Sequence, residues 1–580
     1  LSIDRTTATL IGAKKGGPED MGEFFDDTSP WQNRRQLAGL LTRPDGAPVW
    51  ASVALALVMT ACVPGHPTNE VATGYQPASI QPAAKAGALV LHPCDYRSEP
   101  DGRDFAADCG QLVVPEHRGA AGSRLIALPL IRVRAQDPAP EEPIFTFQGG
   151  PGAPNLVDFP IAALARRHDI VMVGYRGVDG GAKLDCPEVA DHIAAAQGAL
   201  MGAAALASYA EGARLCAARL TRQGVDLASY SMPETVDDQE AARRALGYGR
   251  VDLLGGSYGT RLELIYMWRY PESLRRVVMI GANPPGHFVW NPGLTDAKLA
   301  RYAALCLADA GCRARTGDPM ADFRRVSARM PASWLGAPID PDRVRFVTFF
   351  MLHESIDPRT APLPLDGPAA VDAWLAAAHG DASGLALLSG LSHAFLPHLI
   401  GTWGEFLAMG SGDYSDLTPD QARAPSSAVV GAPSLFFWGL AHGWPAKPDD
   451  TAYRTTSPSD VETLVIGGTL DATTPVEGVA RDLMPKLSHG RLVRLAELGH
   501  VQSFWGSQPA ARDQLLTTFF DRGEGNSSLY VRQAPVFRVE NGLPHVAHML
   551  LAAAALASLI IAAAIGLVAR AIRRRRRAAA

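Results

Sequence analysis

Short runs of consecutive apolar residues closed by glycine-rich turns alternate along this chain with stretches whose apolar residues recur every three or four positions. The first kind reads as strands buried on both faces, the second as helices that bury one face. Strands are predicted at residues 144–148, 251–254, 276–280, 462–466 and 491–495, and a helix continues from 260 to 267 directly after the second of them. Strand-helix alternation of this kind predicts an α/β architecture. The alternation stops between Pro284 and about Asp460, where only helical patterns remain, at 295–308, 319–330 and 369–378. A mainly helical insertion placed before the strand at 462–466 is therefore expected.

The two ends read differently. Residues 549–569 are an uninterrupted uncharged stretch, about 31 Å long as a helix and so matched to the hydrocarbon core of a bilayer. Arg570 and the arginines of 573–577 follow it, and the positive-inside rule places that tail in the cytoplasm and the α/β part on the opposite side of the cell membrane. Residues 1–48 are polar and aperiodic, which reads as a disordered or mis-started extension. Arg34, Arg35 and Arg43 then precede the short apolar segment 49–62, which ends in small residues and Cys62. That is the layout of a lipoprotein signal with Cys62 as the acylated residue; a simple secretory signal or an uncleaved anchor is the alternative. Residues 63–85, rich in Pro, Ala, Thr and Gly, read as a tether. Between the ends the expected order is a first part of the core (86–283), a helical lid (284–460), a second part of the core (461–522) and a linker (523–548) before the membrane helix and the basic tail (570–580).

A chain of 580 residues is longer than one core usually holds, in keeping with core, lid and non-globular ends. A net charge of −5 gives no basic patch and argues against a nucleic-acid partner. The seven cysteines suit an exported protein. With Cys62 set aside, nearest neighbours pair as Cys94 with Cys109, Cys186 with Cys216 and Cys306 with Cys312, with free buried thiols as the alternative. No C-x-x-C or His-Cys cluster suggests a metal.

The chemistry is concentrated in Gly255-Gly256-Ser257-Tyr258-Gly259. A serine on a sharp strand-to-helix bend becomes a nucleophile, and the glycines keep that bend free of side chains. Upstream, the strand at 144–148 runs into Gly149-Gly150-Pro151-Gly152, so the amides of Gly150 and Tyr258 are candidates for an oxyanion hole. Downstream, Asp471 and His500 each stand in the loop after a strand, and the order Ser257, Asp471, His500 is the one a triad on such a sheet requires. No metal or organic cofactor is needed for this chemistry.

The stretch from about Cys94 to Arg522 resembles the proline iminopeptidase-like α/β-hydrolases, in particular their secreted tripeptidyl-aminopeptidase-like branch. The resemblance is carried by Gly149-Gly150-Pro151-Gly152, by Tyr175-Arg176-Gly177, by Asp238, Arg243 and Leu246-Gly247-Tyr248, by Gly256-Ser257-Tyr258-Gly259-Thr260, and by Gly468, Asp471, Thr474 and Pro475. It implies the α/β-hydrolase fold with a lid before the acid-bearing strand. It also implies a serine peptidase that removes short N-terminal pieces from peptides and holds their free amine with lid carboxylates, for which Glu354, Asp357 and Glu405 are candidates. The chain departs from the family at Gln148, where iminopeptidases carry His, at Gly174, where the acid of D-x-R-G is missing, and at Ile280, where an acidic residue is usual. A carboxylesterase or lipase using the same triad on an ester substrate remains open, as does a catalytically idle binding protein of the same fold.

Overall fold

In the computed structural model, residues 84–156, 159–355, 365–445, 451–537 and 541–579 are described. The expectations for 1–48, for the signal-like segment with Cys62, for nearly all of the tether and for Asp357 fall outside them. Strands are numbered in chain order, and so are helices, leaving aside single-turn pieces.

The core is one nine-stranded sheet in the order β1-β2-β3-β5-β4-β6-β7-β10-β11. β1 (Leu89–Ser98), β2 (Arg103–Pro115) and β3 (Leu125–Val133) form an antiparallel wing. β5 (His168–Val173), β4 (Glu141–Phe147), β6 (Val251–Gly256), β7 (Leu274–Ile280), β10 (Glu462–Gly468) and β11 (Gly490–Leu495) are mutually parallel. The central strands are apolar at consecutive positions because the sheet is covered on both sides. Phe145, Phe147, Leu253, Val277 and Met279 face one core and Ile144, Leu254, Val278, Ile280 and Ile466 the other. The chain leaves β4 for β5 on one side and returns to β6 on the other, so the strand order reverses between β4 and β6. Open α/β sheets bind ligands in the crevice at such a switch point, beyond the carboxyl ends of the strands.

Helices α1 (Pro187–Ala195), α2 (Ala203–Arg222), α3 (Met232–Ala245) and α4 (Tyr258–Arg269) lie before β7. Between β7 and β10 the chain is helical: α5 (Pro292–Ala308), α6 (Pro319–Ala328), α7 (Pro341–Met351), α8 (Gly367–Ala378), α9 (Ser383–Phe395) and α10 (Ser434–Ala441). A two-stranded hairpin, β8 (Ser333–Trp334) with β9 (Ala337–Pro338), interrupts them. This insertion has its own core, in which Tyr302, Phe323, Phe349, Trp374 and Leu385 are buried. The cap also draws on a second excursion, because α2 packs against α10 with Tyr209 5.1 Å from Phe436 in an edge-to-face pair.

Disulfides join Cys94 to Cys109 across β1 and β2, Cys186 to Cys216, and Cys306 to Cys312. Cys216 lies on α2 rather than on α3, the helix that precedes the elbow, so this bond staples α1 to α2 beneath the cap. α11 (Val476–Asp482) lies between β10 and β11, and after β11 come α12 (Val501–Ser507), α13 (Pro509–Arg522) and then α14 (Leu543–Ala578). α14 is the one helix among the described residues that is by itself long and apolar enough to cross a membrane. It extends beyond 549–569 at both ends, and its first residue is buried against the lid core.

Candidate active site

β6 delivers Ser257 into a backbone that few residues adopt, with φ 51° and ψ −121°. A non-glycine residue held there costs about 1–3 kcal/mol, a strain that marks functional sites when the surroundings enforce it. Here they do. A Cβ at Gly259 would stand 2.1 Å from the carbonyl oxygen of Phe147 on β4, and one at Gly255 2.5 Å from the Glu263 carboxyl on α4. The Ser257 amide donates to the Ile280 carbonyl at 2.9 Å, and the Thr260 hydroxyl donates back to the Ser257 carbonyl at 2.6 Å. The serine is therefore fixed from both neighbouring strands while its side chain stays half-exposed.

The glycine turn after β4 lies directly against it, since a Cβ at Gly149 would approach the Ser257 Cβ to 2.7 Å. Gly150 has φ 84°, and Tyr258 opens α4, where helix amides have no helical acceptor. The turn is held from beneath by Asn155, which the sequence reading missed. Its Oδ1 accepts from the Gln148 amide at 2.7 Å, and its Nδ2 donates to the carbonyls of Thr146 and Val173 at 2.9 and 2.8 Å. The ends of two strands, β4 and β5, meet on one amide, a convergence with no local sequence pattern.

Asp471 follows β10 and His500 follows β11, at the same edge of the sheet. Asp471 is fully buried and accepts from five donors: His500 Nδ1 at 2.6 Å, the amides of Thr473 and Thr474 at 2.9 and 3.0 Å, and their hydroxyls at 2.9 and 2.5 Å. Burial alone would raise its pKa, but the His500 charge and the hydrogen bonds hold it well below the usual carboxylate range. Burial disfavours a charged His500, and Asp471, with Glu354 behind it, more than compensates, so its pKa is raised. Thr474 Oγ1 also stands 3.2 Å from His500 Nδ1, so the imidazole is oriented through that nitrogen and Nε2 is left for the substrate side. No hydrogen bond joins Ser257 to His500 in this substrate-free structure; such contacts commonly close only in the Michaelis complex.

The lid adds two carboxyl groups. Glu405 is fully buried and accepts from the Tyr258 hydroxyl at 3.1 Å, and its other oxygen has no partner. Burial pushes its pKa up to about 8. Glu354 is buried behind His500, with Oε2 accepting from the amide and hydroxyl of Ser503 and Oε1 unpartnered, and burial raises it to about 7. The neighbouring His353 carbonyl accepts from the His500 amide at 2.6 Å. An aromatic series then runs from Trp290, whose indole donates to the Thr473 carbonyl at 2.9 Å, through Phe349 and Phe350 to His353, 5.6 Å from His500.

The remaining motif residues are structural. Arg176 is fully buried and pairs bidentately with Asp238 at 2.7 and 2.8 Å, tying the segment after β5 to α3. At Gly174 a Cβ would collide with the Cβ of Asp179 at 2.6 Å. The carboxylate absent from position 174 thus returns from five residues on and accepts from the amides of Asn155 and Tyr175 at 2.9 and 2.8 Å.

With the fold and this geometry in view, the similarities of the chain are coherent. A family profile described as alpha/beta hydrolase fold matches residues 142–312, and one described as TAP-like protein matches residues 435–528. The chain is 27% identical over 319 residues to a tripeptidyl aminopeptidase of Streptomyces lividans, a match covering 48% of this chain and 57% of that enzyme. It is 30% identical over 124 residues to the serine protease Hip1 of Mycobacterium tuberculosis, covering 20% and 23%. A meta-cleavage product hydrolase from Pseudomonas fluorescens aligns with 69% of this chain and 95% of its own, at 16% identity and a TM-score of 0.32. The chain spans little more than half the length of the curated aminopeptidase it matches. These matches support a TAP-like α/β hydrolase.

Proposed function

We propose that this protein is a membrane-anchored serine exopeptidase that removes short N-terminal pieces from peptides outside the cytoplasm. The observation that carries the reading is the Asp471–His500 pair at the strand ends beside a strained, glycine-enclosed Ser257. His500 Nε2 takes the proton of Ser257 as its Oγ attacks the substrate carbonyl, and Asp471 holds the imidazole tautomer and stabilises its positive charge. The amides of Gly150 and Tyr258 receive the oxyanion, an interaction whose donors are each worth about 3 kcal/mol of barrier. His500 then protonates the departing amine. Water, deprotonated by His500, attacks the acyl-enzyme and frees Ser257 with its proton.

Peptide rather than ester substrates are favoured by Glu405. An ammonium enclosed without a counter-charge costs several kcal/mol, and a buried carboxyl with one unpartnered oxygen beside Tyr258 supplies that counter-charge by giving up its proton when the amine arrives. The peptidase names of the relatives point the same way. Anchoring is supported by α14 with its terminal arginines, and an outward-facing catalytic part by the three disulfides. Two measurements test the reading. A fluorophosphonate probe is expected to label the wild type and not Ser257→Ala; labelling of the variant places the nucleophile elsewhere. N-acetylation of a good peptidyl-amide substrate is expected to lower kcat/KM at least about tenfold, or 1.4 kcal/mol. Equal rates with faster cleavage of simple esters would leave the esterase.

A further inference from the structure

α14 is about 54 Å long, well beyond the roughly 30 Å of a hydrocarbon core, and its first turns are not free. It packs on α8 and α9 of the lid. Leu543, Ala547 and Ala554 are buried there, Pro544 lies against Gly384, and His548 Nε2 stands 3.1 Å from the Asp381 carboxylate. Ala554 is five residues inside the uncharged stretch 549–569, so the lid reaches about 8 Å down its axis. Had the lid stood clear of the bilayer, only 555–569 would remain to cross it, about 22 Å and too short.

The lid presents a suitable surface at that level. The Trp334 ring packs edge-to-face on His548, 5.3 Å away, one residue before the uncharged stretch begins. At the tip of the β8–β9 hairpin Leu335 is 61% exposed with φ 48°, and residues 330–339 carry no charge. Phe395, closing α9, is 44% exposed. Aromatic and aliphatic side chains beside the start of a span are what interfacial anchoring requires.

We propose that the lid rests in the lipid headgroup layer, with the Trp334–Leu335 hairpin dipping into the bilayer beside α14. The proposal builds on the reading of α14 as a membrane span and goes beyond it, because it places the substrate-shaping part of the protein on the lipid surface. The segment after α9 leads to Thr402, whose backbone lies where a Cβ on Gly152 would fall, 2.6 Å away. One short piece of chain therefore connects the lipid contact to the glycine turn beside Ser257.

Tryptophan quenching in proteoliposomes of the full chain, made with acyl-brominated or unbrominated phosphatidylcholine, tests this. α14 contains no tryptophan, but the apolar segment 49–62 contains Trp50, so the difference in quenching between the wild type and Trp334→Phe reports the lid. The wild type is expected to lose more than Trp334→Phe by roughly the share of one tryptophan among its ten, and Leu335→Trp to lose more than the wild type. Ile560→Trp, in the middle of α14, is expected to be strongly quenched wherever the lid sits. Strong quenching of Ile560→Trp together with equal quenching of the wild type and Trp334→Phe overturns the lid contact and leaves the anchor standing. An unquenched Ile560→Trp overturns the anchor and this proposal with it. Should Trp334→Phe not fold, the gain or absence of quenching in Leu335→Trp decides.

Discussion

Asp471 and Glu405 are both carboxyl groups in full burial near Ser257, one from the core and one from the lid, and they end in opposite states. Asp471 is ringed by five donors and stays ionised far below neutrality, whereas Glu405 has only the Tyr258 hydroxyl and the Gly152 amide to lower its pKa, and burial drives it to about 8. Burial is the first influence on each, and it acts in the same direction. The number of donors decides which wins, because each hydrogen bond to the charged form repays part of the lost hydration. A rigid loop on the sheet can pre-place donors for a permanent charge, while the lid carboxyl, with fewer donors, keeps its proton to about pH 8.

The comparison can be broken most sharply at Asp471. Asp471→Asn keeps the shape and removes the charge, and kcat is expected to fall about 10⁴-fold with little change in KM; a loss of only a few fold would remove Asp471 from the acid role. At Glu405 a smaller and selective effect is expected. Glu405→Gln should raise KM for free-amine peptidyl amides about tenfold and leave N-acetylated substrates unchanged, and equal losses on both would assign Glu405 to packing alone.

The two carboxyls should also pull stability in opposite directions with pH. Asp471, depressed in the folded state, contributes stability that is present above its ordinary pKa and lost as the solution becomes acidic. Glu405, raised to about 8, makes the folded protein bind a proton that the unfolded chain has released, so stability declines from about pH 4.5 up to 8. Thermal melts of Glu405→Gln between pH 5 and 8 should show a flatter decline than the wild type; parallel curves would mean that Glu405 is ionised in the folded protein. The smallest effect is expected at Glu354, which raises the pKa of His500 from behind. With His500 as the proposed base, kcat/KM is expected to fall as pH drops through that pKa, and Glu354→Gln should move this acid limb to lower pH.

Legibility followed the range of the interactions. Five of the six parallel strands were readable because burial on both faces leaves consecutive apolar residues; β5, which carries the same pattern, was not read. β1, β2 and β3 were not read, since strands such as β1, with its mixture of exposed and half-buried positions, leave no such run. The strand ends carrying Ser257, Asp471 and His500 were legible from glycines and chain order. The five-donor shell around Asp471 was only partly so, although Thr473 and Thr474 are its immediate neighbours, because a threonine after a turn looks the same whether it caps a helix or holds a carboxylate.

By itself, the sequence determined the α/β hydrolase class, the strand-turn-helix around Ser257 and the apolar helix before the arginine tail, all of which rest on steric and hydrophobic rules acting over a few residues. Only the tertiary structure decided that Asn155 supports the oxyanion turn and that Glu405, 147 residues beyond Tyr258, faces its hydroxyl. It alone set the start of α14 against the lid. Each of these is a contact between separate elements that only the folded chain brings together. The free energy of such a contact depends on burial and donors supplied by distant chain, which leave no trace in local periodicity.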